Sequence, residues 1–502
     1  MSCSCFERKP GIYGCEVNNI FINETNQMVE FQCDHADGLS NDDVTFLTIQ
    51  LSDMQFMTRS IFDSFVNLSE LTLYRITLGQ LVPTDFAGCK LKSLTINHNW
   101  LREITAGVFA ACSDLEYISV GGGILHTIDE NAFVGLVSLE KLSVFDVPIL
   151  EWTHFFDPLP HLTKVDIFVS VFSRDEFPST LLHSLTKLQS LNVSMYMARE
   201  FPFNFFNNAT ELTQLSMIVG SIRTIDPFIF QPLVSLECLE INSHLISSIH
   251  QNAFARLVNL KVLSLASNDL SSLNQSTFAR LSNLVSLDLS QNPLITVSPA
   301  IFAPLVSLEY LILRNTFRVN LTAVHLNNLR TLDISWASFF RILTENTFIN
   351  FPNLEVLHMA HNSLGNLSSN VFRSNTKLRY LDIAWNGLNN ILETNFLESM
   401  VQLEYLDLSD NWINSADPTM IIETNNLSYL NLSRNSCISD EFHRNNMTLL
   451  VDNMEQCFEH FYQTTSTIPS TIPDENDGHV VAMLDVRLVG ILIVWNFVNS
   501  VS

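Results

Sequence analysis

Nine cysteines are the residues of this 502-residue chain with the most evident chemistry, and they are not scattered. Cys3, Cys5, Cys15 and Cys33 lie close to the N-terminus, Cys437 and Cys457 near the far end, and Cys89, Cys112 and Cys238 between them. Thiols in such clusters close disulfides or hold zinc. The spacing of the first cluster fits no zinc pattern well. The expectation is therefore disulfides at both ends, with Cys437 joined to Cys457, and an oxidising compartment. Cys89 and Cys112 sit at nearly matching positions of two adjacent repeats and are either a bridge or two buried thiols. Cys238 is left over, as a free thiol or an intermolecular partner.

Other candidate chemistry thins out on inspection. The glycine run in VGGGIL (120–125) lacks the lysine of a phosphate loop, and no Gly-x-Ser-x-Gly elbow occurs. His358 and His361 are close in sequence, but a metal needs further ligands that the pattern does not place near them. Asp288, Asp333, Asp382 and Asp407 recur with a regular period and raise the question of paired carboxylates. No catalytic residue, metal or cofactor is expected. The net charge of −26 opposes a nucleic-acid partner or an anionic membrane surface.

The elements that must position these side chains follow from a repeat. The pattern Leu-x-x-Leu-x-Leu-x-x-Asn-x-Leu starts at Val44, Leu68, Leu91, Leu115, Leu139, Leu162, Leu188, Leu212, Leu236, Leu260, Leu284, Leu308, Leu329, Leu354, Leu378, Leu403 and Leu427, seventeen times with a period of about 24 residues. Good copies are LKVLSLASNDL (260–270), LVSLDLSQNPL (284–294) and LEYLDLSDNWI (403–413). Apolar positions 4 and 6 alternate with polar neighbours, which predicts one short strand per repeat with a single buried face. Asn at position 9 (Asn268, Asn292, Asn362, Asn386, Asn411, Asn435) can bond backbone groups of a neighbouring coil. The column breaks at Ile76, Gly123, Val147, Ser170, Tyr196, Gly220 and His244. Phe62, Phe86, Phe109, Phe133, Phe230, Phe254, Phe278, Phe302, Phe372 and Phe396 recur at a fixed offset after each start and predict a buried spine, which accounts for much of the total of 36 phenylalanines.

This pattern resembles the extracellular leucine-rich-repeat family over about four-fifths of the chain, and a period held so long is a specific signal. The resemblance implies an α/β fold: a curved horseshoe solenoid with a parallel sheet on its concave face and disulfide-capped ends. It also implies that Asp at position 5 belongs to the common repeat form and not to an active site. The organisation expected is a cysteine cap over 1–43, repeats over 44–436, a C-terminal cap over 437–463, a Ser/Thr/Pro-rich stalk over 464–478 and a hydrophobic tail over 479–502. In the family the first and third, and second and fourth, cap cysteines pair, which implies Cys3–Cys15 and Cys5–Cys33. The C-terminal cap of the family usually has four cysteines, where this chain has two.

Ten Asn-x-Ser/Thr sequons fit a secreted chain: Asn23, Asn67, Asn192, Asn208, Asn274, Asn320, Asn366, Asn426, Asn431 and Asn446. The chain opens Met-Ser-Cys-Ser-Cys with no apolar leader, so a secretory signal is expected upstream. LVGILIVWNFV (488–498) is either a membrane span, with Asp485 and Arg487 as an energetic burden, or the tail of a glycolipid-anchor signal with its cleavage site near Asn476; the second fits better.

Positions 3, 5, 7 and 8 should face outward on the sheet, where solenoids of this kind bind. Two patches stand out there. The first holds Phe145, Phe168, Val169, Met195, Ile218 and Val219, with the Asn192 sequon among them. The second holds Tyr310, Trp336, His358, Tyr380, Trp385, Tyr405 and Tyr429, interleaved with Asp333, Asp382 and Asp407, and aromatic residues of this kind are enriched at binding hot spots. The reading is a non-enzymatic cell-surface recognition or adhesion protein, tethered at its C-terminus. Its partner would be an extracellular protein, a cell-surface ligand or a second copy. It is similar to anchored adhesion proteins of the chaoptin and connectin kind and to Toll-type ectodomains. The alternatives are a secreted immune or matrix-binding module and an intracellular scaffold.

Overall fold

The computed structural model describes residues 2–443 except 10–11, 26, 148–153, 170–178, 196–197, 203, 295–296, 317–320, 338–342, 390, 393–395, 417–425 and 437–440. Cys437, Cys457, Asn320, Asn446, Asn476, the stalk and the hydrophobic tail therefore lie outside the described residues. Among the described residues no helix is long and apolar enough to cross a membrane.

Period-2 alternation produces what it should. Each repeat contributes one strand, and the strands join into a 21-stranded sheet. The repeat strands pair in parallel, with position 4 always opposite position 4. Leu47 faces Leu71, Leu71 faces Leu94, and the line continues through Leu239, Leu263, Leu287, Leu311, Leu332, Leu357, Leu381 and Leu406 to Leu430. Register is kept because a one-residue slip would turn the leucines to solvent. The long repeat at Leu162 and the short one at Leu308 are absorbed outside the strands, since Val165–Leu191 and Leu311–Leu332 remain paired.

Behind the sheet the phenylalanines line up as expected. Phe86, Phe109, Phe133, Phe230, Phe254, Phe278 and Phe302 are fully buried. Neighbouring rings lie 5.3–6.4 Å apart, as in Phe86–Phe109 (5.3 Å), Phe230–Phe254 (6.2 Å) and Phe254–Phe278 (6.4 Å). The helical layer that an α/β class implies is thin. Among the described residues it comprises one α-helical segment, Ser60–Ser64, and short 3-10 turns such as Pro83–Phe86 and Pro299–Phe302. A return leg that must bring one large ring per coil into a continuous spine needs only a few tight turns.

The N-terminal cysteines correct one expectation. Ser2–Lys9 pairs antiparallel with Ile12–Asn18, which sets Cys5 opposite Cys15, and parallel with Gln32–Asp34, which sets Cys3 opposite Cys33. The disulfides are accordingly Cys5–Cys15 and Cys3–Cys33, with Cα–Cα distances of 4.0 and 4.4 Å. The pairing Cys3–Cys15 and Cys5–Cys33 is overturned because strand register decides which Cβ atoms approach. Ile12–Asn18 then pairs with Phe46–Gln50, so the cap feeds directly into the sheet. Cys89 and Cys112 form a third bridge, joining adjacent coils at a Cα–Cα distance of 5.1 Å. At the other end Glu441–His443 closes the sheet antiparallel to Tyr429–Asn431.

Candidate functional site

The outward columns are presented by two features of the repeat. At position 5, Asp288, Asp333 and Asp407 each accept the backbone N–H two residues on through Oδ1, at 2.8 Å in all three cases. Asp382 does the same to Ala384 at 3.1 Å. One oxygen of each thus fixes the strand end, and the second oxygen of Asp407 accepts the Asn431 amide at 3.1 Å. At position 8 the backbone turns into the left-handed region in coil after coil: Arg75, His98, Asp146, Ser243, Ser267, Gln291, Asn315, Trp336, His361, Trp385, Asp410 and Arg434 all have φ between 51° and 59°. Such a turn costs a non-glycine residue on the order of 1 kcal/mol or more. Here it is held by inter-coil bonds, for example Trp336 N–H to Ala360 O (2.9 Å) and His361 N–H to Ala384 O (3.0 Å).

Asparagine at position 9 completes the device. The Asn292 amide donates to Leu265 O, Leu289 O and Ser290 O at 2.9, 3.0 and 3.1 Å, and its oxygen accepts Leu270 N–H at 3.1 Å. Asn99 does likewise, donating to Leu73 O (3.0 Å) and accepting Ile76 N–H (2.9 Å), although the run of irregular repeats around it hid it in the sequence. His244 occupies the same slot buried at 5% exposure, with neither ring nitrogen in a hydrogen bond of good geometry. Burial drives its pKa down to about 4, opposed by the Met217 backbone carbonyl.

The second patch assembles into two aromatic columns flanking a column of mostly acidic side chains. On one side Tyr380, Tyr405 and Tyr429 stack at 4.3 and 4.6 Å between centroids, tilted by only 6° and 13°. On the other, Trp336, His361 and Trp385 stack at 3.8 and 5.1 Å. Between them run Asp333, His358, Asp382 and Asp407 in register. His358 Nδ1 stands 4.0 Å from an Asp382 oxygen, and its ring is 4.8 Å from that of Tyr380. Trp336 and Trp385 are 45% and 50% exposed, which is unusual for so large an apolar side chain. Burial pushes the Tyr380 hydroxyl up to about 12 and raises Tyr405 as well, and the neighbouring carboxylates add to both shifts. Tyr310 lies half-buried on the strand Tyr310–Ile312, with the strands of Thr331 and Val356 between it and Tyr380. His361, at the outward position 8, is the member missing from the aromatic set expected from the sequence. Its regular offset from Trp336 and Trp385 was the available signal.

Phe145, Phe168, Ile218 and Val219 of the first patch are also turned outward. Phe145 and Phe168 are paired across adjacent strands, and Phe168 and Ile218 are 36% and 38% exposed. It reaches further toward the N-terminus than the sequence suggested. The His98 ring passes over Gly122 to lie 5.3 Å from Phe145, and Tyr74 stands edge-on to it at 5.6 Å. Gly122 is required there: its φ is +71° and a Cβ would come within 2.5 Å of His98 Nδ1. Within the patch, register slips between Val193 and Met195 where this strand pairs with the one carrying Ile218.

The remaining candidates separate clearly. Cys238 is a half-buried free thiol whose pKa is pushed up to about 12 by burial and by Glu240, the opposite of a nucleophile's environment. Cys5, Cys15 and His35 converge within 4.8 Å, but both sulfurs are committed to the disulfide. Asn23, Asn67, Asn208, Asn274, Asn366 and Asn426 are exposed. Asn192 is half-buried on the sheet face, with its oxygen buried and unpartnered. Asn431 stands apart from the exposed sequons: it lies at position 5 at 7% exposure, donates to Asp407 Oδ2 (3.1 Å) and accepts Ser433 N–H (3.0 Å).

Comparisons with known proteins agree with this architecture. A family model described as Leucine rich repeat matches residues 89–146, 210–270, 258–316 and 327–388. No curated protein matches the sequence. Among solved structures, the Toll chain of the Drosophila Toll–Spatzle complex superposes with a TM-score of 0.57 at 20% identity, covering 81% of this chain and 53% of that one. TLR13 in its complex with ssRNA13 gives a TM-score of 0.55 at 18% identity, covering 85% and 74%. The chain thus spans about half the length of the Toll chain it matches. At these identities the likeness is one of fold.

Proposed function

The chain belongs to the leucine-rich-repeat family, and on that premise we propose that it is a non-enzymatic recognition or adhesion protein of the cell surface that binds a protein partner through the open face of its sheet. The observation that carries the reading is the pair of stacked aromatic columns, Trp336–His361–Trp385 and Tyr380–Tyr405–Tyr429, held half-exposed on a rigid parallel sheet. Rings immobilised in advance lose little entropy when a partner covers them, which is what a hot spot needs. The three disulfides are consistent with an extracellular site of action. In the solved relatives Toll is bound to Spatzle and TLR13 to ssRNA13. For a chain of net charge −26 with carboxylates running between its aromatic columns, a protein is the better-matched ligand. In this reading residues 1–43 and 437–463 cap the repeats of 44–436. The stalk of 464–478 lifts them from a membrane to which the chain is joined through a glycolipid near Asn476.

A cell-surface binding screen with residues 1–463 tests the proposal. Trp385→Ala and Tyr405→Ala should each weaken partner binding at least tenfold while circular dichroism and the unfolding midpoint stay near those of the parent. Undiminished binding by both variants would sink it. Release of the full-length protein from cells by a phospholipase specific for glycolipid anchors tests the tether, and resistance to release would argue for a span.

A further inference from the structure

The column between the aromatic stacks has a composition that selects among protein partners. Asp333, Asp382 and Asp407 each spend one carboxylate oxygen on the backbone, at 2.8, 3.1 and 2.8 Å. The charge they bring is not neutralised by a lysine or arginine in their own column. The basic residues nearby are spent elsewhere. Arg330 bridges Glu309 and Glu355, and Arg379 pairs with Glu404, all at position 2 along the flank of the sheet. Two arginines bound the column: Arg314, whose charge adds to the burial that lowers the pKa of His361 against the pull of Asp382, and Arg434.

Arg434 shows what the surface accepts. Its guanidinium lies 5.7 Å from the centre of the Trp385 ring, and its Nη2 is 2.8 Å from Asp410 Oδ2. A planar cation is thereby held against an indole with a carboxylate beside it. Trp336, with Asp333 three residues before it, and the Tyr380–Tyr405 stack, with Asp382 and Asp407 two residues after each tyrosine, likewise carry a carboxylate in the same repeat as a partly exposed ring. The carboxylates already act on those rings, since Asp382 and Asp407 both help to hold the Tyr380 and Tyr405 hydroxyls protonated. A cation over the rings would meet the same negative field with the opposite sign.

We propose that this stretch, from Asp333 to Asp407 between the Trp336–His361–Trp385 and Tyr380–Tyr405–Tyr429 stacks, receives an extended basic segment of the partner protein, with arginine side chains laid on the rings and charged against the carboxylates. The inference rests on the reading of this face as the binding surface. Arginine suits the site better than lysine because its flat, weakly hydrated guanidinium can stack and bond to a carboxylate at once. The interaction is electrostatic in part, so it weakens with salt.

The test uses fluorescein-labelled (Gly-Arg)6, (Gly-Lys)6 and (Gly-Glu)6 peptides and the full chain, read by fluorescence anisotropy at low and physiological salt. The arginine peptide should bind, the lysine peptide more weakly, and the glutamate peptide not at all. Asp333→Asn with Asp382→Asn keeps both backbone-capping oxygens and removes two charges, and it should cut arginine-peptide affinity at least tenfold, as should Trp385→Ala. The control is Asp129→Asn with Glu237→Gln, which lowers the bulk charge equally at a distance from the face and should change affinity less than twofold. Equal losses in the two double variants would mean that the bulk charge alone attracts the peptide, and would overturn the proposal. Binding of single-stranded RNA in place of the peptide would also overturn it. If Trp385→Ala abolishes binding of a partner found in the cell screen but the arginine peptide neither binds nor competes, the face remains the binding surface and only the basic partner is wrong. If the substitutions affect neither, the face itself is wrong.

Discussion

His244 offers the sharpest check on the physical account of the coil. It stands in the asparagine column with 5% of its surface exposed and both ring nitrogens without a well-formed hydrogen bond. Its folded pKa is driven to about 4 from the ordinary 6.5, first by burial. The sign is fixed by linkage: the unfolded chain takes up the proton at a higher pH than the folded one does. Stability associated with this residue is fully present above about pH 6.5, and it is lost progressively as pH falls to about 4. At about 1.4 kcal/mol per pH unit of pKa difference, the loss amounts to about 3 kcal/mol. His244→Asn removes the titration and restores a side chain that can donate toward the Met217 carbonyl, as Asn268 donates to Ile241 O at 2.8 Å. At pH 7.5 the variant should be more stable by roughly 1–2 kcal/mol, the net value of one or two buried hydrogen bonds less the smaller volume of Asn. At pH 4.5 the advantage should widen by roughly a further 2–3 kcal/mol. Urea unfolding of both proteins at pH 7.5, 6.0, 5.2 and 4.5 measures this. Glu240, Asp166 and Asp288 titrate anomalously as well, with pKa values raised by burial, but they are common to both proteins and cancel in the difference. Parallel stability curves for parent and variant across that range would refute the reasoning.

Four further outcomes are expected of the same architecture. Phe254→Ala removes a ring from the middle of the buried spine and should cost about 3–5 kcal/mol in urea unfolding, whereas Phe228→Ala, at 62% exposure, should cost well under 1 kcal/mol. Asn292→Ala leaves the Leu289 carbonyl and the Leu270 N–H without their partner, while Leu265 O keeps the Asn268 amide and Ser290 O keeps the Ser267 N–H, and it should cost about 2–4 kcal/mol, with faster amide exchange at Leu270. Cys238 should react with a disulfide reagent at pH 8 at least tenfold more slowly than a free cysteine, and normal reactivity would contradict its raised pKa. Glycopeptide mapping of the chain expressed through a secretory pathway should find glycan at Asn274 and none at Asn431, because the first is exposed and the second is buried and bonded at both ends of its amide.

The strand and spine positions were legible because they depend on a period, and a period survives individual substitutions. Leu239 or Phe278 could be placed from their counterparts one repeat away. The cap disulfides were not legible in this way. The resemblance supplied a pairing order, but the partners are set by an antiparallel strand pair within residues 2–18 and a parallel one to Gln32–Asp34, and neither register can be counted from cysteine spacing. Local geometry hid other features. Cys89 and Cys112 had matching positions but undetermined state, and only the 5.1 Å approach of their Cα atoms shows the bridge. His98 joins the first patch because Gly122 leaves room for its ring, a contact across an intervening coil. The sequon at Asn431 read as a surface feature because the motif carries no information on which way its strand faces.

The aromatic face also follows from the structural device of the repeat. A left-handed residue at position 8 is unfavourable for Trp336, His361 and Trp385, whose φ values are 59°, 57° and 55°. Neighbouring coils hold each of them by a backbone bond, and the Asn362, Asn386 and Asn411 amides bond the chain on either side. The turn directs position 8 outward at the edge of the sheet while positions 4 and 6 stay buried. Bulky rings placed there cannot retreat into the core, so they stack on the next coil and remain half-exposed. Asparagine at position 9 would have the same structural value with serine beside it, as Ser267 and Asn268 show. The tryptophans are therefore not explained by folding. Within the chain they gain stacking through His361 and, for Trp385, the Arg434 guanidinium; under the proposed function a partner covering their exposed faces supplies the rest.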